Sequence, residues 1–203
     1  MPSRGLISAM ATVAALFVQT GGHYFGLPDI DPWDAERDAR TYDGPCPVVA
    51  HPPCSRWCQL AHVNQKRWGA MVGDDGGCFA SALASVRKWG GVLEHPAFTY
   101  AWPRFDLQPP AMNGWTRGID GGWVCEVSQA AYGHRARKLT WLYYVGVRAP
   151  PLLDWSRPPA SAIVGHCAKY ESPLHRLSKR EASATPPAFR DLLVSLARFA
   201  REA

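Results

Sequence analysis

The stretch Val48-Val49-Ala50-His51-Pro52-Pro53-Cys54-Ser55-Arg56-Trp57-Cys58 decides how the rest of the chain is read. Two β-branched residues and an alanine form a short apolar run that reads as a buried strand. Pro52 and Pro53 lack the N–H that a ladder needs and hold φ near one value, so the strand ends there. Cys54 is then presented on a stiff loop at the carboxyl end of a parallel strand. Open α/β sheets bind their ligands at that edge, so a thiol in this position is placed to act as a nucleophile.

Working outward, the same pattern recurs. Ala14-Ala15-Leu16-Phe17-Val18 is an apolar run that enters Gln19-Thr20-Gly21-Gly22-His23-Tyr24-Phe25-Gly26, where glycines allow a tight turn and close approach of a ligand to the backbone. Asp31-Pro32-Trp33-Asp34 has the form of a capped helix start, predicting a helix to about Tyr42, which Gly44-Pro45 then breaks. Asp75 and the glycines around it open a second helix from about Cys78 to Trp89, closed by Gly90-Gly91. Val92-Leu93 is a short strand stopped at Glu94-His95-Pro96, a second buried strand that ends in a reactive side chain beside a proline. Further strands are expected over Val124–Ala130 and Thr140–Val147, joined by the basic turn Tyr132-Gly133-His134-Arg135-Ala136-Arg137-Lys138. Thr185-Pro186-Pro187 precedes a last helix with Phe189, Leu192, Leu193 and Leu196 on one face.

Alternating strands and helices predict a single three-layer α/β domain. Residues 1–9 read as an extension, 10–203 as the domain, and 103–122 as a long irregular loop rich in Pro, Gly and Trp. The apolar run Leu6 to Val18 is too short to span a bilayer and lacks a signal-peptide cleavage site, so it is assigned to a buried first strand near Val13–Val18. Six cysteines scattered from Cys46 to Cys167 do not form a compact disulfide framework, which points to a reducing, cytoplasmic setting. The formal charge of +5, from 22 Lys and Arg against 17 Asp and Glu, suits a polyanionic partner, as it suits many enzymes of small metabolites. Nine tryptophans beside arginines are compatible with stacking on bases and equally with a core.

Two metal readings compete for the cysteines. Cys54, Cys58 and His62 lie four apart and would share a helical face, with Cys46 or Cys78 as a further ligand. No close Cys-x-x-Cys pair supports that, so no metal is assigned. A zinc deaminase needs His-x-Glu ahead of Pro-Cys-x-x-Cys; here the spacing is Pro-Cys-x-x-x-Cys with no His-x-Glu before it.

Taken in order, these motifs resemble the DNA cytosine-5 methyltransferases, and most closely their compact phage-encoded relatives. Leu16-Phe17 with Gly21, Gly22 and Gly26 resembles the motif that cradles S-adenosylmethionine. Asp29-Ile30-Asp31-Pro32 resembles the acidic strand end that holds its ribose. His51-Pro52-Pro53-Cys54 resembles the Pro-Cys nucleophile loop, Glu94-His95-Pro96 the Glu-Asn motif that grips the base, and residues 132–137 the late basic motif. The phage relatives carry a Gly-His followed by Lys and Thr, matched by Gly133, His134, Lys138 and Thr140. Ala15 and Gln19 stand where the family has Asp and Gly, and about ten residues separate the glycine loop from Asp29. The resemblance therefore implies a Rossmann-like domain reduced in its N-terminal cofactor half. The segment 148–176 is too short for a separate target-recognition domain.

The resemblance implies catalysis by Cys54, Glu94, Arg135 and Arg137. Cofactor contacts would come from Phe17, Gly21, Gly22, Asp29, Asp31 and Pro53. DNA contacts would come from His51, His95, His134, Lys138 and Thr140. The substrate would be DNA, as a duplex with a flipped base or as a single strand, in the cytoplasm of the host cell if the chain is phage-encoded. Carbon-5 of cytosine is a poor nucleophile, and a thiolate added at carbon-6 activates it. In that scheme Arg135 or Arg137 holds the base carbonyl and phosphate and lowers the thiol pKa. Each of these residues also has a purely structural reading: an inert buried thiol for Cys54, a solvated carboxylate for Glu94, and a wet basic surface for 135–138. Two other functions fit the same residues, namely a pyrimidine-modifying enzyme with a different donor and a non-catalytic DNA-binding relative.

Overall fold

The computed structural model describes residues 12–164 and 172–202. The extension expected at 1–9 lies outside the described residues. The described chain is a mixed α/β fold. In order come β1 (Val13–Leu16), β2 (Ile30–Trp33), a 3-10 turn at Ala39–Thr41, β3 (Val48–Ala50), α1 (Ala61–Trp68), α2 (Cys78–Trp89) and β4 (Gly91–Pro96). Next are α3 (Ala101–Arg104), β5 (Thr116–Arg117), β6 (Trp123–Ser128), a 3-10 turn at Gln129–Tyr132 and β7 (Leu139–Val145). The chain closes with β8 (Ala162–Ile163), β9 (His175–Arg176), α4 (Lys179–Ser183) and α5 (Pro187–Phe199).

Seven strands form one sheet in the order β2-β1-β3-β4-β7-β6-β5. β2, β1, β3 and β4 run parallel, whereas β7, β6 and β5 continue the sheet antiparallel. Both faces of the sheet are covered, which accounts for the unbroken apolar runs of β1 and β3. Alternate residues serve opposite layers. Ala14, Leu16, Val48, Ala50 and Leu93 pack with Phe79, Leu83 and Val86 of α2. Val13, Ala15, Val49, Val92 and Leu142 pack with Phe189, Leu193 and Leu196 of α5. β3 and β4 are drawn tightly together at Gly91, where a Cβ would lie 2.0 Å from the Val48 carbonyl oxygen.

Two sequence expectations are corrected. The helix expected from Asp31 to Tyr42 is instead β2 and a series of turns. Residues 30–33 pair in parallel with β1, and Pro32 is tolerated because β2 is the edge of the sheet. Asp34, not Asp31, caps the turn after β2, its Oδ1 accepting from the N–H groups of Glu36 and Arg37 at 3.1 Å. The strand expected to stop after Leu93 runs on to Pro96, because β7 continues the pairing opposite Glu94, His95 and Pro96. The loop expected over 103–122 contains the end of α3 and the whole of β5. Leu107 is buried in the core, and Gly118 and Gly122 close the β5–β6 hairpin. Helix α1 had no expectation in the sequence.

Candidate active site

The carboxyl ends of β1, β3 and β4 meet where the chain has turned from one side of β1 to the other. That is the point at which open α/β sheets form a crevice. The His51 N–H donates to the Leu16 carbonyl at 3.0 Å, so the ladder runs one residue past β3 before Pro52 ends it. His51 and Glu94 therefore keep strand alternation, and both side chains fall on the α5 side of the sheet. His51 Nδ1 lies 2.9 Å from Glu94 Oε2, and His51 Nε2 lies 2.8 Å from the Tyr24 hydroxyl. The other carboxylate oxygen, Oε1, accepts from Gln129 Nε2 at 3.3 Å, and the same amide donates to Thr140 Oγ1 at 2.9 Å. Five side chains from five segments thus form one hydrogen-bonded line across the sheet end.

Glu94 is held ionised. Burial alone pushes its pKa up, but the hydrogen bond and charge of His51, joined by Lys138 and His95, outweigh it and leave the group below the ordinary carboxyl range. Tyr24 is pushed well above the ordinary phenol value, first by burial and then by the Glu94 charge.

Cys54 stands at the start of a tight turn in which its carbonyl accepts from the N–H groups of Trp57 and Cys58 at 2.9 and 2.8 Å. Trp57 anchors this turn. It is buried, its indole N–H donates to Asp75 Oδ2 at 2.8 Å, and its carbonyl accepts from the Tyr100 N–H at 2.8 Å. The thiol is electrostatically coupled to Glu94 and Lys138. Burial, then the charges of Glu94 and Cys58, push it up to about 11, while Lys138 acts the other way. The cation that favours the thiolate is therefore Lys138, where Arg135 or Arg137 had been expected. Lys138 is held there by a left-handed backbone, φ 32°, with its carbonyl accepting from the Gln129 N–H at 3.2 Å.

The other expected residues divide clearly. Arg135 is exposed and ion-paired with Glu181 at 3.5 Å. Arg137 is exposed, and its carbonyl accepts from Ser128 Oγ at 2.8 Å. His134 is buried, with Nδ1 accepting from the Ala136 N–H at 3.0 Å. The expected contact of His95 with DNA is corrected. One residue beyond Glu94, alternation sends it to the opposite face, where it is fully buried between Phe79 and Trp102. Among the described residues neither of its ring nitrogens has a hydrogen-bond partner, and burial holds its pKa at about 4. Thr140 is likewise fully buried, with its hydroxyl accepting from Gln129.

Of the residues expected to hold a cofactor, Phe17 turns with φ 59°, Pro53 is exposed, and Gly21 and Gly22 complete a turn closed by the Gly22 N–H donating to the Gln19 carbonyl at 2.8 Å. Asp29 is exposed, with its carbonyl accepting from the Thr12 N–H at 2.8 Å. Asp31 is turned inward: Oδ1 pairs with Arg37 and Oδ2 accepts from the Trp33 indole at 2.7 Å. Asp34, at the end of β2, accepts from Thr20 Oγ1 at 2.8 Å as well as from two backbone N–H groups.

Among the described residues, no group of three or more His, Cys, Asp or Glu side chains is arranged to hold a metal, and no helix is long and apolar enough to cross a membrane. A groove of about 710 Å³ lies beside the Cys54 turn, lined by Trp57, His62, Asp75, Tyr100, Arg104 and Phe105. Its lining does not include Cys54 or Glu94. Next to it α1 exposes Val63, Lys66, Arg67 and Trp68. Of the tryptophans in the irregular region, Trp102 fills the core. Trp115 packs on Tyr144 and Trp155, and Trp123 lies under Arg117.

Tyr24, Gln129 and Trp57 carry much of this site, and sequence reasoning missed all three. Only the glycines around Tyr24 and the closeness of Trp57 to Cys54 drew attention to their segments. Comparison of the chain with protein-family models, curated proteins and solved structures finds no match.

Proposed function

We propose that this chain modifies a pyrimidine base in DNA by forming a covalent bond between Cys54 and carbon-6 of the ring. The observation that carries the reading is that the Cys54 turn follows β3 while Glu94 lies near the end of the neighbouring β4, and that the charges of Glu94 and Lys138 both act on the Cys54 thiol. Addition of sulfur at carbon-6 makes carbon-5 nucleophilic, and in this reading Glu94 bonds the N3–C4 edge of the ring. The base reaches such a site from a single strand or by leaving the duplex stack. Exposed Lys66, Arg67 and Trp68 on α1 add cationic and aromatic surface of the kind a nucleic-acid strand uses. The sheet, with its parallel β2-β1-β3-β4 half, is compatible with a Rossmann-like fold.

Methylation at carbon-5 is the outcome that the motif order implies, with S-adenosylmethionine as the donor. Of the two carboxylates expected to hold the cofactor ribose, Asp29 is exposed, but Asp31 does not fit the role as it stands, because Arg37 and the Trp33 indole engage it. This inward pairing favours a second reading, in which the same thiol and carboxylate serve a different electrophile.

The decisive test is covalent capture by an oligonucleotide containing 5-azacytosine, whose carbon-6 adduct is completed by a proton at ring position 5 and needs no methyl donor. The parent protein is expected to form a denaturant-resistant adduct, and Cys54→Ser to form none. Undiminished capture by Cys54→Ser overturns the role of the thiol. Calorimetry then separates the donors: binding of S-adenosylmethionine supports methylation, and capture without such binding supports the second reading. Salt-sensitive DNA affinity with neither capture nor cofactor binding marks a non-catalytic DNA-binding protein.

A further inference from the structure

We infer that the groove beside the Cys54 turn holds the base next to the captured one, unstacked from the strand, so that the substrate is single-stranded DNA. The inference rests on the base-capture reading above and deepens it, by choosing between the two forms of DNA that the reading allows.

The groove adjoins the turn that presents the thiol. The Trp57 N–H donates to the Cys54 carbonyl at 2.9 Å, and Trp57 lines the groove. Residues three apart on such a turn have their Cβ atoms about 5–6 Å from each other. A strand with one base at Cys54 can therefore place the next in the groove. Cys54 and Glu94 are absent from the lining, so this is a second subsite and not an extension of the first.

Its walls are aromatic and held in place. The Trp57 indole N–H donates to Asp75 Oδ2 at 2.8 Å, and its ring lies 5.7 Å from that of Phe105. Tyr100, whose N–H donates to the Trp57 carbonyl at 2.8 Å, meets His62 of α1 edge-on at 4.8 Å. Flat side chains of this kind take any base by its face. Asp75 is committed to the protein, with Oδ1 accepting from the Gly77 N–H at 3.0 Å and Oδ2 from the Phe79 N–H at 2.8 Å as well as from the indole. Asp74 is exposed and is the carboxylate left to accept from an exocyclic amino group.

Charge gives the strand its path. The two carboxylates repel a phosphate, so the backbone runs outside the groove and towards α1. There His62 also lines a hollow of about 640 Å³ with Val63, Lys66 and Arg67. Lys66, Arg67 and Arg104 are exposed and form no ion pair among the described residues. Helix α1 buries only Ala61, and Trp68 at its end is 78 % exposed. Free cations interleaved with exposed rings are what a single strand binds. In a duplex, one base leaves the stack at a cost, and turning out its neighbour adds a second cost. In a single strand neither base is paired, so both subsites fill together.

The test uses the full chain and 5-azacytosine oligonucleotides: a single strand, the same strand in a duplex, and single strands with an abasic nucleotide on the 5′ or the 3′ side of the 5-azacytosine. The parent is expected to capture the single strand at least about tenfold faster than the duplex. An abasic nucleotide on one of the two sides should slow capture about tenfold at subsaturating oligonucleotide, whereas the same lesion several nucleotides away should not. His62→Ala and Arg104→Ala, both at exposed positions, should capture the intact single strand more slowly and respond less to the neighbouring lesion. Capture of the duplex as fast as the single strand, or no effect of the lesion on either side, overturns the inference. If the parent forms no adduct with any of them, the base-capture reading fails instead, and the groove is judged by binding of the same oligonucleotides with cytosine in place of 5-azacytosine. The single strand must then bind about tenfold more tightly than the duplex and lose that margin when His62→Ala and Arg104→Ala are combined. Equal affinities overturn the role of the groove even so.

Discussion

His51 Nδ1 and Glu94 Oε2 lie 2.9 Å apart, and this contact joins the carboxyl ends of β3 and β4 above Tyr24. Each residue succeeds a run that pairs in parallel with the other, Val48–Ala50 with Gly91–Leu93. The strand register therefore fixes which two side chains meet. Through Glu94 the contact also bears on the Cys54 thiol, whose pKa burial raises first and the carboxylate raises further.

The sign of that action gives a test that separates thiol reactivity from base capture. The negative charge of Glu94 disfavours the thiolate, so Glu94→Gln lowers the Cys54 pKa from about 11. Alkylation of Cys54 by iodoacetamide at pH 8 should be faster in Glu94→Gln than in the parent, while capture of 5-azacytosine is lost. Slower alkylation would show that Glu94 does not face the thiol.

Lys138 works in the opposite direction. Lys138→Met is expected to slow iodoacetamide alkylation and base capture severalfold, because loss of the cation disfavours the thiolate. Arg135→Ala should leave both rates within about twofold, because Arg135 is exposed and ion-paired with Glu181. Equal effects of the two substitutions would remove Lys138 from the site.

His95 gives the fold a pH dependence of its own. Buried and neutral, it titrates at about 4 in the folded chain against an ordinary 6.5. Below about pH 6.5 the unfolded chain binds a proton that the folded chain does not. Stability therefore falls as pH drops from about 6.5 to 4, by up to about 3 kcal/mol. Glu94 adds a separate loss at lower pH: its folded pKa is depressed, so its contribution is present above the ordinary carboxyl value of 4.5 and disappears as pH falls through the folded value. Urea denaturation of His95→Leu should show a smaller loss between pH 7 and 5 than the parent, the remainder coming from His134, whose pKa burial also lowers, and no deficit at pH 7, since the substitution removes two nitrogens without a hydrogen-bond partner among the described residues. A parent equally stable at pH 7 and pH 5 contradicts the buried neutral imidazole.

Gly91→Ala tests the seam between the two reactive strands. The new Cβ would meet the Val48 carbonyl oxygen at 2.0 Å and Val48 N at 2.6 Å, on a backbone with φ 119°. The loss should be at least about 3 kcal/mol, with unfolding at lower urea or failure to accumulate as folded protein. Gly114→Ala, which has open space and an ordinary φ, should be neutral. A well-folded Gly91→Ala would mean that β3 and β4 are not packed as closely as here.

Local sequence determined a good deal. Valines and alanines without interruption marked β1 and β3 as strands covered on both faces, and Pro52-Pro53 fixed where β3 ends and where Cys54 begins. Glycine at each end marked α2, and the apolar stripe marked α5. Those signals act within a few residues, through propensity, hydrophobic period and proline sterics. β2 escaped them because Asp-Pro-Trp-Asp has the local form of a helix start, and only the open edge of β1 makes it a strand.

Tertiary structure alone decided the partners of Glu94. Tyr24, His51, Gln129 and Thr140 are remote from it in sequence, and register brings them together. It also decided that His95 faces the core and Glu94 the site. The motif Glu94-His95-Pro96 carries no mark of which residue points which way until β7 pairs with β4 and the two layers claim alternate side chains.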